Sequence, residues 1–164
     1  MNARELREIL NKRPELSEKV IGILSTDRLL RNAKSCCWKE DRALIVNTTT
    51  TTSSHKHFGE ETTIPPPGHW VAFHFGKEKN FFFCSGGLPP QRYNREYLGI
   101  LGDDFECNST RLQKPNDVIN CGLYCLMFLY YSLSGYDFKT SVGFIDNCKD
   151  NIDLEVDICY KLLS

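Results

Sequence analysis

The segment Cys121–Leu133 constrains the fold more than any other part of this sequence. Its residues, CGLYCLMFLYYSL, are apolar on nearly every face of a helix, and the pair Ser134-Gly135 follows as a stop. A helix that is apolar all round normally lies inside the core of a domain, covered by other elements. We therefore expect the rest of the chain to form layers around this helix.

Other segments carry the patterns of such layers. Helical spacing of apolar residues occurs in 2–12, in the run from Pro14 to Leu24, in 91–101 after a Pro-Pro pair, and in 146–163. Strand patterns occupy 42–47, 69–75, 80–85 and 105–112, and the turn 76–79 joins two of these into a hairpin. The helices and strands do not alternate regularly, and no repeat or linker interrupts them. The sequence thus predicts one α+β domain over 1–164, with a central mixed or antiparallel sheet of about three to five strands packed against the buried helix.

The charge of the chain limits the classes of function. The 20 basic and 21 acidic side chains nearly cancel, since 20 − 21 = −1. This balance argues against a protein that holds nucleic acid by bulk electrostatics. No apolar stretch approaches the ~18 residues of a membrane span, and the first residues lack the apolar region of a secretory signal. We expect an intracellular, reducing location and no membrane partner.

Eight cysteines are interpreted as reduced thiols, most of them buried as small apolar groups. Cys36 and Cys37 are adjacent and Cys121 and Cys125 are four apart, so neither pair has the C-x-x-C spacing of a zinc site. We therefore predict no metal site. Residues 50–67, a Thr/Ser tract followed by prolines, are predicted to form a flexible surface loop.

Cys121 opens the buried helix and has Gly122 beside it. Unpaired N–H groups and the helix dipole favour a negative charge at that end. They are expected to lower the pKa of the thiol, and the thiolate is the nucleophilic form. Gly122 would let a substrate backbone come close. The alternative interpretation, a small buried cysteine at a helix start, stays open on this fragment.

Two further side chains complete a candidate site. His69 lies at the start of a strand, where catalytic residues are often found, and an imidazole can take the proton of a thiol. His74 is in mid-strand and is expected to be packed or to lie on the opposite face. Gln113, eight positions before Cys121 (121 − 113 = 8), can donate an N–H to an oxyanion alongside the Cys121 backbone N–H.

These segments resemble, in order and over most of the chain, the adenovirus-type cysteine endopeptidases (adenain), which are distant relatives of the SUMO-deconjugating proteases. The matching segments are Glu5-Leu6 through Ile23-Leu24, Ala43 to Thr48, the strand His69-Trp70-Val71-Ala72-Phe73, Gln113 with Pro115-Asn116, and Cys121 to Leu129. The last match, Cys-Gly-Leu-Tyr-Cys-Leu-Met-Phe-Leu, is the most specific.

The resemblance implies an adenain-like cysteine protease fold. It implies His69 as the general base, Cys121 as the nucleophile, and Gln113 with the Cys121 N–H as the oxyanion hole. Trp70 would pack beside the histidine and, with Gly122, border the substrate. Members of the family cleave viral precursor proteins at sites with small residues, often glycine. A relative would act on capsid or core precursors of a virus or virus-like element, in the host nucleus or the virion.

One position departs from the family's pattern. Cys84 stands where the family has the carboxylate that orients the imidazole, and a thiol is uncharged at neutral pH. Ser85, Asn80, Glu78 or a water are the stand-ins that the sequence leaves open. The chain is therefore alternatively a non-catalytic or weakened relative. A second alternative is an isopeptidase that uses the same residues on ubiquitin- or SUMO-like modifiers.

The family is assisted by a short viral peptide joined through a cysteine, and by DNA. Cys107 is the nearest candidate for a disulfide to such a peptide, and an unpaired strand cysteine is the simpler interpretation. Residues 1–42 hold ten bases and seven acids, 10 − 7 = +3, which is not the basic stripe of a DNA-binding surface. DNA is therefore not expected as a cofactor.

The spacing from Gln113 to Cys121 is about one residue longer than the family's, which leaves Asn116 as an alternative to Gln113.

Overall fold

The computed structural model describes residues 1–32, 40–49, 68–114, 117 and 120–148. The helices are α1 (Ala3–Asn11), α2 (Pro14–Ser17), α3 (Thr26–Asn32), α4 (Tyr97–Leu101), α5 (Cys121–Leu133) and α6 (Phe138–Cys148), with a 3-10 turn at Pro90–Arg92. The strands are β1 (Val20–Ser25), β2 (Arg42–Asn47), β3 (Trp70–Phe75), β4 (Asn80–Phe83) and β5 (Phe105–Cys107). Outside the described residues lie the predicted loop 50–67, Cys36, Cys37 and Asn116, and the chain beyond 148.

The strands form one five-stranded mixed sheet in the order β1-β2-β3-β4-β5. β1 and β2 are parallel, the pairs β2/β3 and β3/β4 are antiparallel, and β4 and β5 are parallel. Every residue of the central strand β3 is buried. A strand that is buried on both faces requires cover on both sides of the sheet. The predicted α+β class is confirmed, with five strands at the upper end of the expected number.

Two apolar clusters cover the two faces of the sheet. On one face, Leu6 of α1 and Phe128 of α5 pack in one cluster with Ala72 of β3. On the other face, Leu29 of α3 and Tyr97 of α4 belong to a second cluster that includes alternate residues of β3. All residues of α5 from Cys121 to Leu129 are buried, which confirms the buried helix.

Residues 20–24 were predicted to be helical, and this prediction is wrong. They form β1, which pairs in parallel with β2 from Val20↔Ala43 onward. Val20, Ile21 and Ile23 are β-branched and favour a strand. Burial also alternates at the start of the strand, where Ile21 is exposed between two buried residues. Helices therefore occupy only the part of this segment before Val20.

The helix predicted over 91–101 is interrupted. Its start is the 3-10 turn Pro90–Arg92 and its end is α4. Between them the Asn94 side chain accepts a hydrogen bond from the Glu96 N–H at 2.9 Å. A side chain that bonds the backbone two residues later favours a turn over a helix interior.

The strand predicted over 105–112 ends at Cys107. The next residue, Asn108, directs its side chain to the backbone of Cys84 instead of continuing the strand pairing. The described C-terminal helix, α6, begins earlier than the helix predicted over 146–163, most of which lies outside the described residues.

Candidate active site

The mixed topology gathers several element ends at one edge of the sheet. β3 runs antiparallel to β4, and β4 runs parallel to β5. The start of β3 therefore lies beside the ends of β4 and β5. His69 directly precedes β3, and Cys84 directly follows β4. This edge is where the candidate residues from distant parts of the chain converge.

The His69 ring lies between a phenol ring and a thiol. Its plane stacks on Tyr93, with ring centroids 5.5 Å apart and an interplanar angle of 15°. Its Nε2 lies 3.4 Å from the Sγ of Cys84. Burial lowers the pKa of His69 to about 4, with a further contribution from the positive charge of Arg111. At neutral pH the imidazole is therefore uncharged.

Cys84 lies beside the imidazole, at the position where the family resemblance implies an acid. The residue is fully buried, and its Sγ also lies 3.0 Å from the Tyr93 hydroxyl. Its backbone is held by Asn108, whose Oδ1 accepts from the Cys84 N–H at 3.0 Å and whose Nδ2 donates to the Cys84 carbonyl at 2.6 Å. These contacts fix the thiol against the ring.

The other stand-ins for the acid are engaged elsewhere. Ser85 donates its hydroxyl hydrogen to the Oε1 of Gln113 at 2.6 Å. Asn80 donates to the carbonyl of Leu101 at 2.9 Å, at the start of β4. Glu78 lies exposed in the turn at the opposite end of β3 and β4. Among the residues that the structure describes, Cys84 is the one whose side chain bonds the His69 ring.

Cys121 begins α5 and is 5% exposed. The backbone N–H groups of Trp70 and Gly122 act to lower the pKa of its thiol. Burial nevertheless raises the pKa of the Cys121 thiol, and these two donors only partly offset the effect. The expectation that the helix start lowers this pKa is therefore wrong, because desolvation of the thiolate outweighs the nearby N–H groups.

A Cβ added at Gly122 would lie 3.4 Å from Cδ1 of Trp70, so the residues directly after Cys121 and His69 are in contact. The structure thus brings the start of β3 and the start of α5 together next to the two residues chosen from the sequence. Nε2 of His69 faces Cys84, and among the described residues no hydrogen bond joins the side chains of His69 and Cys121.

Gln113 is 6% exposed and is held at both ends of its amide. Its Oε1 accepts from Ser85, and its Nε2 donates to the carbonyl of Asp117 at 2.6 Å. The carboxylate of Asp117 in turn accepts from the backbone and side chain of Asn120, the residue before Cys121. Gln113 is therefore linked to the nucleophile through two residues, and its amide nitrogen has a second hydrogen.

Trp70 and Gly122 contact the beginning of the chain. The Trp70 indole donates to the carbonyl of Met1 at 2.8 Å. A Cβ added at Gly122 would lie 3.0 Å from Leu6 Cδ2 and 3.2 Å from Met1 Sδ. Gly122 thus permits the close approach of the protein's own N-terminal segment.

Other predicted residues lie outside this constellation. His74 is packed in the core, as expected, with Nδ1 2.5 Å from the Ser132 hydroxyl and Nε2 3.3 Å from Asp41 Oδ1. Cys107 is a free, half-buried thiol on the edge strand β5, and burial raises its pKa. The described part of the chain contains no group of three or more His, Cys, Asp or Glu residues that could hold a metal. None of its helices is long and apolar enough to cross a membrane.

Three residues of the site were missed by the sequence analysis: Tyr93, Asn108 and Arg111. Each lies in a turn or loop, and each acts through a contact to a residue far away in the chain. No spacing or motif marks them. Their roles follow from the structure. Tyr93 stacks on His69, Asn108 holds the backbone of Cys84, and Arg111 lowers the pKa of His69.

No protein-family model matches this sequence. No curated protein is significantly similar to it.

Proposed function

We propose that this protein is a cysteine endopeptidase in which Cys121 attacks the peptide carbonyl and His69 is the general base. The observation that carries the proposal is the contact between Trp70 and Gly122, the residues that directly follow His69 and Cys121. A nucleophile next to a base that is oriented by a third group is the recurrent arrangement of covalent catalysis.

The proton transfer starts from a neutral pair. The pKa of His69 is about 4 and that of Cys121 is raised, so neither side chain is charged at pH 7. The Cys121 proton moves to Nδ1 of His69 as the sulfur bonds to the carbonyl carbon. The imidazolium then gives this proton to the leaving amine, and water hydrolyses the thioester with His69 again as the base.

The third group in this mechanism is the thiol of Cys84. With Nδ1 accepting the proton, Nε2 carries its own hydrogen and donates it to the Cys84 Sγ, 3.4 Å away. The Tyr93 hydroxyl lies 3.0 Å from the same sulfur, within hydrogen-bond distance, and the Tyr93 ring stacks on the imidazole. These contacts hold the tautomer and the ring plane without a carboxylate. They stabilise the imidazolium less than a carboxylate does, so we expect a slow enzyme.

The oxyanion is stabilised by the backbone N–H of Cys121 and by the second amide hydrogen of Gln113. The bonds of this amide to Ser85 and Asp117 preorganise it. Donors that are fixed before the reaction need no reorganisation when the charge develops.

The adenain-like fold and the substrate class are finer proposals that rest on the motif resemblance. They comprise cleavage of viral or virus-like precursor proteins at glycine-containing sites, action in the host nucleus or virion, and an activating peptide joined through Cys107. The half-buried position of Cys107 on an edge strand is compatible with the last of these.

The test is hydrolysis of quenched fluorescent Gly-Gly peptides by the wild type and by Cys121→Ala, His69→Ala and Cys125→Ala. Cys125 is a buried thiol one turn further along α5 and is the matched control. We expect turnover in the wild type and in Cys125→Ala, and its loss in the other two. Equal turnover, or none in any of them with candidate activator peptides added, would refute the proposal. Ubiquitin and SUMO electrophiles that label Cys121 would instead identify an isopeptidase.

A non-catalytic relative is the second candidate function. It is favoured by the raised pKa of Cys121 and by the missing carboxylate. In that case neither peptides nor electrophiles distinguish Cys121 from Cys125.

A further inference from the structure

The backbone around Arg111 is fixed against the loop that carries Cys84. The N–H groups of Leu112 and Gln113 both donate to the carbonyl of Ser85, at 2.8 and 2.9 Å. Gly87 in the same loop has φ +74, and a Cβ there would lie 2.8 Å from the Arg111 nitrogen. The two chain segments are therefore in contact with no room for a side chain between them. Arg111 has a defined position beside the candidate site.

The Arg111 side chain is held at one point and exposed at its end. Its Nε donates to the carbonyl of Gln113 at 2.9 Å, while the residue as a whole is exposed. Neither terminal nitrogen forms a hydrogen bond or an ion pair with any residue in the described part of the chain. A guanidinium that is fixed at Nε presents its remaining N–H groups in a planar fork, the geometry that binds carboxylates in a bidentate way.

The charge of Arg111 acts on the general base. It disfavours protonation of His69 and lowers its pKa, so an unpaired Arg111 opposes the imidazolium that forms during the reaction. The two described acids closest to Arg111 in sequence are engaged elsewhere, since Glu106 accepts from Lys79 and Asp117 accepts from Asn120. An anion bound to Arg111 would cancel the unfavourable field and make His69 a stronger base.

From this geometry we propose that Arg111 is a specificity-determining residue that binds a carboxylate of the substrate, the side chain of an Asp or Glu close to the scissile bond. The inference rests on the proposed function and deepens it, because the acid that the protein lacks beside His69 is supplied in part by the substrate. Such a substrate gains both in binding and in the rate of the chemical step.

The first test compares quenched Gly-Gly peptides that carry a single Asp or Glu at each flanking position with the Asn or Gln counterparts. At one position, we expect the wild type to favour the acid roughly tenfold in kcat/KM, with part of the gain in kcat. Arg111→Gln should remove the preference, and Arg111→Lys should retain some of it. Lys77→Gln is the matched control, since it removes an exposed positive charge from the turn at the other end of β3. Equal rates for acid and amide at every position would overturn the proposal.

The second test does not need turnover. The rates of Cys121 alkylation by iodoacetate and by iodoacetamide are measured by mass spectrometry, and their ratio reports the local charge. We expect the ratio to fall several-fold in Arg111→Gln but not in Lys77→Gln. If the ratio falls in Arg111→Gln but the protein cleaves no peptide, the result supports the anion site and refutes the peptidase. If the protein cleaves peptides without preferring an acid, and the ratio does not change in Arg111→Gln, the result refutes only the role of Arg111.

Discussion

At the scale of single residues, the site depends on how a neutral imidazole is held. A carboxylate would fix the ring and support its positive charge, whereas Cys84 and Tyr93 fix the ring and add no charge. Burial and Arg111 both disfavour the protonated ring. The consequence is a base that is available over a wide pH range but weak.

Removal of the groups that hold the ring tests their role. We expect Cys84→Ala and Tyr93→Phe each to lower kcat roughly fivefold to tenfold, about the effect of one lost hydrogen bond, with little change in KM. The double variant should lose less than the product of the two, because both groups act through the same sulfur. Cys84→Asp, which restores a carboxylate, should raise kcat above that of the isosteric control Cys84→Ser. If the loss in kcat of the double variant equals the product of the two single losses, the two residues act separately, which would contradict their shared action through the sulfur.

The pH dependence of kcat/KM tests the state of the base. Catalysis needs the unprotonated ring, so the rate falls as the pH decreases through the pKa of His69, about 4. Between pH 5 and 8 the profile should be flat with respect to this group. In Arg111→Gln the acidic limb should move to higher pH, because a charge that lowers the pKa is gone. An acidic limb near the ordinary value of 6.5 in the wild type would contradict the account.

At the scale of elements, the contact between the loop after β4 and the segment before α5 shapes the site. The Asn108 side chain donates to the Cys84 carbonyl, and the Ser85 carbonyl accepts from the N–H groups of Leu112 and Gln113. Gly87 lets them meet, since its positive φ and the nearby Thr110 carbonyl exclude a larger residue. Displacement of this contact would move Cys84, Arg111 and Gln113 together.

A pair of glycine substitutions measures this contact. Gly87 and Gly102 both have positive φ, at +74 and +78, but an added Cβ meets backbone atoms only at Gly87. Gly102→Ala should cost about 1 kcal/mol for the backbone conformation alone. Gly87→Ala should cost a further ~1–3 kcal/mol of stability for the steric conflict, and it should lower activity in the folded protein. Equal unfolding free energies for the two variants in urea titrations would show that the close approach is unimportant.

Local patterns in the sequence were sufficient for the elements that are strongly apolar or tightly turned. The buried α5 and the hairpin of β3 and β4 were found at nearly their observed bounds. β1 was missed because its short apolar run suits a helix as well as a strand, and only its pairing with β2 decides between them. Tyr93 and Arg111 could not be predicted, since contacts across the fold give them their roles.

At the scale of the whole molecule, a polar network ties the sheet to the end of α5 remote from Cys121. His74 of β3 joins Ser132 of α5 to Asp41, and Lys19 bonds both Asp41 and the carbonyl of Leu133. The network holds α5 at its far end, while its start packs at Gly122 against Leu6 and Trp70. The helix is thus fixed on the sheet at both ends.

The stability of the fold should decrease in mild acid. Burial lowers the pKa of both His69 and His74 in the folded protein, whereas the unfolded chain has the ordinary value of 6.5. Below that value the unfolded state binds more protons, so the free energy of unfolding falls as the pH decreases from 6.5 towards 4. Asp41 acts to raise the pKa of His74 and Lys19 to lower it, and burial, the largest cause, outweighs Asp41.

Urea titrations at pH 7 and pH 5 measure this decrease. The decrease should become smaller in His74→Gln and in His69→Gln, each of which removes one titrating ring. A free energy of unfolding that stays constant or rises between pH 7 and pH 5 would contradict the buried, neutral state of the two histidines.

The central claim is that the His69 ring takes the proton of the Cys121 thiol. The most direct measurement is the rate at which a Gly-Gly vinyl sulfone peptide modifies Cys121 at pH 7, with the modified residue located by mass spectrometry. We predict an adduct on Cys121 in the wild type and a rate about 100-fold lower in His69→Ala, the usual effect of a lost general base. The same rate in both proteins, or no adduct on Cys121 in either, would contradict the claim.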